Sequence, residues 1–99
     1  MDESNYRESR LCRLLGNPVV YRMTVLLAKN GPLTPARLAE LADRSVQTVS
    51  GHLARLRTAD VVRYEAKGRQ TRYWLKHERD VRALLKVLGN VVRRSSRLK

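Results

Sequence analysis

Up to Ala59 the apolar residues recur every three or four positions; after Asp60 they alternate, and from about His77 the longer period returns. This double change constrains the fold most, because a segment patterned for a helix presents the wrong residues when it is laid out as a strand. It predicts a mainly α chain with one small β-hairpin (α+β), with helices on both sides of the hairpin.

The helical part divides at its turn residues. Residues 1–9 are mostly polar, with Tyr6 their one aromatic side chain, and are expected to form a flexible arm or an irregular helix start, so that regular structure begins near Arg10. Leu11, Leu14 and Leu15 share a helical face ahead of Gly16-Asn17-Pro18, which supplies a stop, a capping side chain and a first-turn proline. The next helix runs from Pro18 to about Lys29 on Val19, Val20, Met23, Leu26 and Leu27, and Asn30-Gly31-Pro32 ends it. Thr34-Pro35 then opens a helix of barely two turns with Leu38, Ala39, Leu41 and Ala42 as its stripe. After a tight break at Asp43-Arg44, Ser45 caps a further helix to about Ala59, with Val46, Val49, Leu53 and Leu56 expected on its inner face. Two helices so closely spaced form a helix-turn-helix candidate.

In the alternating stretch, Val62, Tyr64 and Ala66 interleave with Val61, Arg63 and Glu65; Lys67-Gly68-Arg69-Gln70 makes the tip, and Thr71 to Leu75 returns. The last helix, about His77 to Val92, carries Val81, Leu84, Leu85, Leu88, Val91 and Val92 on one stripe, and residues 93–99 are expected to form a basic flexible tail. A helix-turn-helix followed by a hairpin is the order of a winged helix-turn-helix, here one domain over residues 10–92.

Charge indicates the kind of partner. Lys and Arg number 21 against 9 Asp and Glu, a net +12, which favours a polyanion: double-stranded DNA first, an acidic membrane surface second. No apolar run approaches the ~20 residues of a membrane span, and the first residues lack a signal-peptide pattern, so no membrane partner and a cytoplasmic setting are expected. Cys12 is the single cysteine, which excludes an intrachain disulfide framework and any zinc site needing two thiolates. With no Phe and 5% aromatic residues, there is little to stack unpaired bases.

The helix 45–59 is the one expected in the major groove. Near its start Ser45, Gln47, Thr48, Ser50 and His52 are hydrogen-bonding residues, with Arg55 one turn on: Gln can pair with adenine through two groups, His can meet guanine acceptors, and Ser and Thr reach phosphate or a thymine methyl. The plainer alternative is that Thr48 and Ser50 merely solvate an exposed face. Lys67, Arg69 and Arg72 cluster about the glycine of the tip, and from Arg44 to Arg72 seven Lys or Arg stand against Asp60 and Glu65, which marks a phosphate-facing surface. His52 and His77 fall on different elements with no nucleophile beside them, so no catalytic or cofactor site is expected.

Leu38-Ala39-Glu40-Leu41-Ala42, then Ser45-Val46-Gln47-Thr48-Val49-Ser50-Gly51-His52-Leu53-Ala54-Arg55-Leu56, then Val61-Val62 and Lys67-Gly68-Arg69 resemble the ArsR-type winged-helix transcriptional repressors across residues 10–92. The resemblance implies a homodimer, an inverted-repeat operator, and repression by promoter occupancy until a signal releases the protein. It also implies that the first and last helices pack at the dimer interface, with Leu11, Leu14 and Leu15 meeting the stripe Val81, Leu84, Leu85, Leu88, Val91 and Val92. Many such repressors sense metal through thiols in the helix matching 35–42 or through acidic and histidine ligands on the last helix. Here the first has no Cys and the last offers His77, Glu78 and Asp80 without a second His, so no metal site is expected and the effector is unknown. Gly51 removes a side chain that the family presents to the groove, and Asp60 stands where a glycine commonly follows, so it adopts a left-handed backbone or the turn differs. Cys12 is either a small buried apolar residue or a redox switch near Arg10 and Arg13. Two other functions remain open: a nonspecific duplex-binding or structural module, and a protein-interaction module in which the charge serves solubility.

Overall fold

Side-chain caps start three of the five helices. In the computed structural model, which describes residues 3–95, Asn17 Oδ1 accepts the N–H groups of Val19 and Val20 (2.9 and 3.2 Å) and Pro18 fills the first turn of a helix. Thr34 Oγ1 accepts the Arg37 N–H (3.1 Å) ahead of Pro35. Ser45 Oγ accepts the Thr48 N–H (3.1 Å) and donates to Thr48 Oγ1 (2.9 Å). The elements are α1 (Glu3–Leu15), α2 (Pro18–Asn30), α3 (Pro35–Ala42), α4 (Val46–Thr58), β1 (Val62–Lys67), β2 (Gln70–Leu75) and α5 (Glu78–Arg94). Caps at these positions satisfy N–H groups that a helix leaves unpaired.

The central helix is α2. Its Val20, Met23 and Leu27 meet Leu38 and Ala39 of α3, Val49, Leu53 and Leu56 of α4, Val62 and Leu75 of the hairpin, and Leu14 and Leu15 of α1 in one buried cluster. Thr24, buried among them, donates its hydroxyl to Val20 O (2.9 Å), so no polar group is stranded there. β1 and β2 pair antiparallel from Val62 opposite Leu75 to Lys67 opposite Gln70, around a two-residue turn in which Gly68 has φ 65°. Leu33 and Tyr73 exchange backbone hydrogen bonds of 3.0 and 2.8 Å, which fastens the hairpin to the helical body.

Four expectations change. α1 begins at Glu3, well before Arg10; its first turns are polar all round, so no apolar period announced them, and Arg10 lies over the Tyr6 ring at 5.7 Å. Residues 93 and 94 of the expected tail continue α5; residues 1–2 of the arm and 96–99 of the tail lie outside the described residues. Val46 does not join the inner face: it shares the arc of Leu53, seven residues on, but is 49% exposed because it occupies the first helical position, at the end of the row. Cys12 is exposed rather than buried, since Leu11, Leu14 and Leu15 hold the inward arc of α1 and leave Cys12 beside it.

Both ends of α4 adjoin an aspartate in left-handed backbone: Asp43 (φ 55°) closes α3 and Asp60 (φ 65°) follows α4. The Asp60 backbone therefore adopts the conformation that a glycine commonly supplies. Asp60 is fixed there by Lys76, whose Nζ donates to Oδ2 at 2.6 Å, with His77 Nε2 3.8 Å away. The Lys76 hydrogen bond, helped by the nearby positive charge, holds the Asp60 carboxyl below its ordinary range.

Two outcomes follow. Only a residue lacking Cβ takes φ near +55° freely, so Asp43→Gly should be about 1 kcal/mol more stable than Asp43→Ala in thermal or urea denaturation. Asp60 has a depressed folded pKa, so its contribution is complete above the unfolded carboxylate value and fades as pH falls through the folded one. The gap in melting temperature between the native protein and Asp60→Asn should be fully open at pH 7 and begin to narrow only as pH falls below about 4.

Candidate nucleic-acid interface

The buried row Val49, Leu53 and Leu56 decides which way α4 faces. With about 100° between successive residues, Gln47, Gly51, Ala54 and Thr58 lie opposite that row, flanked by Thr48, Ser50 and Arg55, and all of them are exposed. A Cβ built on Gly51 meets nothing within 4 Å, so the glycine faces open space and is not there for packing. The helix therefore offers a narrow ridge near its middle with hydrogen-bonding side chains at its start.

The sequence-predicted reading residues are not equivalent. Gln47 and Ser50 are exposed with no internal hydrogen bond among the described residues. Ser45 accepts from one backbone N–H and donates to Thr48, so its first role is to fix where the helix begins; Thr48 retains its own hydroxyl proton for donation. His52 is half-buried, and its Nδ1 is shut off from solvent with no hydrogen-bond partner among the described residues. A buried lone pair is less unfavourable than a buried orphan N–H, which favours the tautomer with the proton on Nε2 and makes that atom a donor. Arg55 is exposed one turn farther along.

In the hairpin, Lys67, Arg69 and Arg72 are all exposed. Strand alternation sets Lys67 and Arg72 on one face while Arg69 occupies the turn after Gly68. Glu65 stands directly across from Arg72, so part of the positive charge of Arg72 is offset, and Lys67 and Arg69 are the less encumbered cations. The root of the hairpin adjoins the last turn of α4: Arg57 lies over the Tyr64 ring at 5.0 Å, and Tyr64 meets Tyr73 at 5.6 Å between centroids. Sequence reasoning counted Arg57 among the cations and Tyr64 among the alternating strand residues, and joined neither to the site. Arg57 and Tyr64 lie on elements of different period, and no local pattern joins them.

Of the expected interface residues, Leu14 and Leu15 are core residues of their own chain, 8% and 7% exposed, and Leu11, Val81 and Leu85 pack at the edge of the same core. Leu84, Leu88, Val91 and Val92 are 37–53% exposed, joined by Val87 at 54%, and no residue of α5 is buried. Between this helix and the α1–α2 junction lies a groove of about 620 Å³, bordered by Cys12, Tyr21, Val25, Leu84 and Leu88. Among the described residues, no three His, Cys, Asp or Glu side chains converge as metal ligands, and no helix is long and apolar enough to cross a membrane.

Comparison with known proteins bears on the same segments. The profile of a family described as a helix-turn-helix domain matches residues 15–65. Among solved structures, the cadmium metal-sensor CMTR from Mycobacterium tuberculosis is 34% identical, with a TM-score of 0.69 over 84% of this chain and 85% of that one. Rv0081 from M. tuberculosis is 22% identical, with a TM-score of 0.85 over 95% and 93% of the two chains. The homodimeric winged helix-turn-helix DNA-binding domain Mb0332 from Mycobacterium bovis, a possible ArsR-family transcriptional regulator, is 21% identical, with a TM-score of 0.80 over 96% and 89%. No curated protein matches the sequence. The matched profile takes in α2, α3, α4 and the first residues of β1, the structural matches extend over 84–96% of the chain, and so the protein belongs to the helix-turn-helix family, among its ArsR-type winged transcriptional regulators.

Proposed function

We propose that the protein is a homodimeric, sequence-specific repressor that occupies an inverted-repeat operator in double-stranded DNA and is released by a signal other than a metal. The observation that carries this reading is the pairing of an exposed, hydrogen-bonding start of α4 with a basic-tipped hairpin whose root adjoins the last turn of the same helix. In it Gln47 reads adenine through its amide, His52 donates from Nε2 to guanine N7 or O6, and Thr48 and Ser50 reach phosphate or a thymine methyl. Lys67, Arg69, Arg72 and Arg55 neutralise phosphates, and Ser45 fixes the register of the helix. Regulation by occupancy needs no catalytic group, and the setting is cytoplasmic.

The exposed stripe of α5 supports the dimer. A small chain that leaves five large apolar side chains of one helix half exposed gains by covering them, and a twofold partner covers the same stripe from both sides. Such a pair sets its two α4 helices about 34 Å apart, one turn of B-DNA. Helix 35–42 has no thiol, and the last helix lacks a second His, which is why the signal is assigned to something other than a metal. A nonspecific duplex-binding module remains the alternative, and base preference separates the two.

Two experiments test these roles. In selection from random duplexes, followed by titration at several salt concentrations, Gln47→Ala and His52→Ala should each relax base preference by about 1–3 kcal/mol at the base that the side chain reads. Lys67→Ala and Arg69→Ala should instead weaken every duplex alike and reduce the slope of log K against log salt by about 0.9 for each phosphate no longer neutralised. If the first pair behaves as the second does, α4 does not read bases. For the dimer, Leu88→Asp together with Val91→Asp should give a folded monomer by sedimentation; a dimer that persists unchanged places the interface elsewhere.

A further inference from the structure

Arg57 is an exposed cation in the last turn of α4, and among the described residues no carboxylate or carbonyl holds its guanidinium. What holds it is a ring: Cζ lies 5.0 Å from the centroid of Tyr64, itself 46% exposed. Tyr64 in turn leans on Tyr73 at 5.6 Å with the rings 30° apart, and Tyr73 is bonded through its backbone to Leu33 of the helical body. A chain of neighbouring groups thus runs from the body, through two rings on one face of the hairpin, to a guanidinium at the seam between α4 and the wing.

A cation–ring contact of this kind takes up no hydrogen-bond donor, so the five N–H groups of the guanidinium stay free to bond. A planar cation that is already ordered, has no carboxylate partner and keeps its donors open is suited to an oxyanion with paired oxygens. Because the side chain is ordered in advance, less rotamer entropy is lost when the anion arrives. We propose that Arg57, held by Tyr64, is a phosphate clamp that grips the duplex backbone at the junction of reading helix and wing, and that Tyr64 acts as its positioning residue. This rests on the duplex-binding reading and adds to it a grip that neither α4 nor the hairpin supplies by itself. The competing explanation, that Arg57 only complements the carbonyl end of α4, requires no ring and no phosphate.

The test is an anisotropy titration of a labelled mixed-sequence DNA duplex with the full-length protein, repeated between about 50 and 200 mM salt. Arg57→Gln should reduce the salt slope by about 0.9 per bound protomer. Tyr64→Leu keeps the charge, so the slope should stay near that of the native protein while affinity falls about 2- to 10-fold per protomer. Tyr64→Phe, which retains the ring, should restore native affinity. Circular dichroism checks the fold of each variant, and Tyr64→Met replaces Tyr64→Leu if the latter is unfolded. An unchanged slope for Arg57→Gln beside a reduced one for Lys67→Gln overturns the clamp and leaves the duplex reading standing. Tyr64→Phe as weak as Tyr64→Leu overturns the positioning role of the ring. No duplex binding by the native protein overturns both readings.

Discussion

Three side chains with no exposed surface, Val49, Leu53 and Leu56, fix the rotation of α4 about its own axis. Every other feature of the candidate surface depends on that setting. Turning the helix by one residue would sweep its outward edge through about 100° and carry Gln47 toward the flank. Leu38 and Ala39 of α3 and Met23 of α2 complete the layer that receives the row, so the short α3 serves chiefly as a wall against which α4 is indexed. Dense packing makes this setting discrete, because an aliphatic row has few ways to interdigitate with a fixed partner surface.

The hairpin depends on the same layer. Val62, where β1 begins, and Leu75, where β2 ends, close the bottom of the core, and the Leu33–Tyr73 bridge ties the second strand to the body; no strand side chain beyond them is buried. Basic residues at the tip therefore extend from a root that is held by burial and by backbone bonds. Their effect depends on how little opposite charge stands nearby, and the register gives Glu65 to Arg72 while sparing Lys67 and Arg69.

Much of this was legible in the sequence, because the cues are local. Asn17, Thr34 and Ser45 mark helix starts by chemistry that acts over three residues, and the change of period at Asp60 separates helix from strand. Less visible was the first half of α1, where polar residues on every side leave no stripe to count. Val46 was misassigned because spacing alone does not reveal where a helix end outruns its neighbours. Cys12 fell one step off an apolar arc, where composition cannot decide exposure. The inward Nδ1 of His52 and the Arg57–Tyr64 contact belong to tertiary structure, and the sequence contains only their ingredients.

The two aspartates that bracket α4 have a mechanical consequence. Glycine at either junction would give the backbone a broad basin and make the helix ends compliant, whereas an L residue near φ 60° occupies a small, steep-walled basin. Joints of this kind resist bending and limit how far the helix can tilt against the elements on either side of it. In the proposed duplex complex, a stiff helix surrenders the capacity to remould itself to variant sites and keeps more of its binding energy for the one shape it fits.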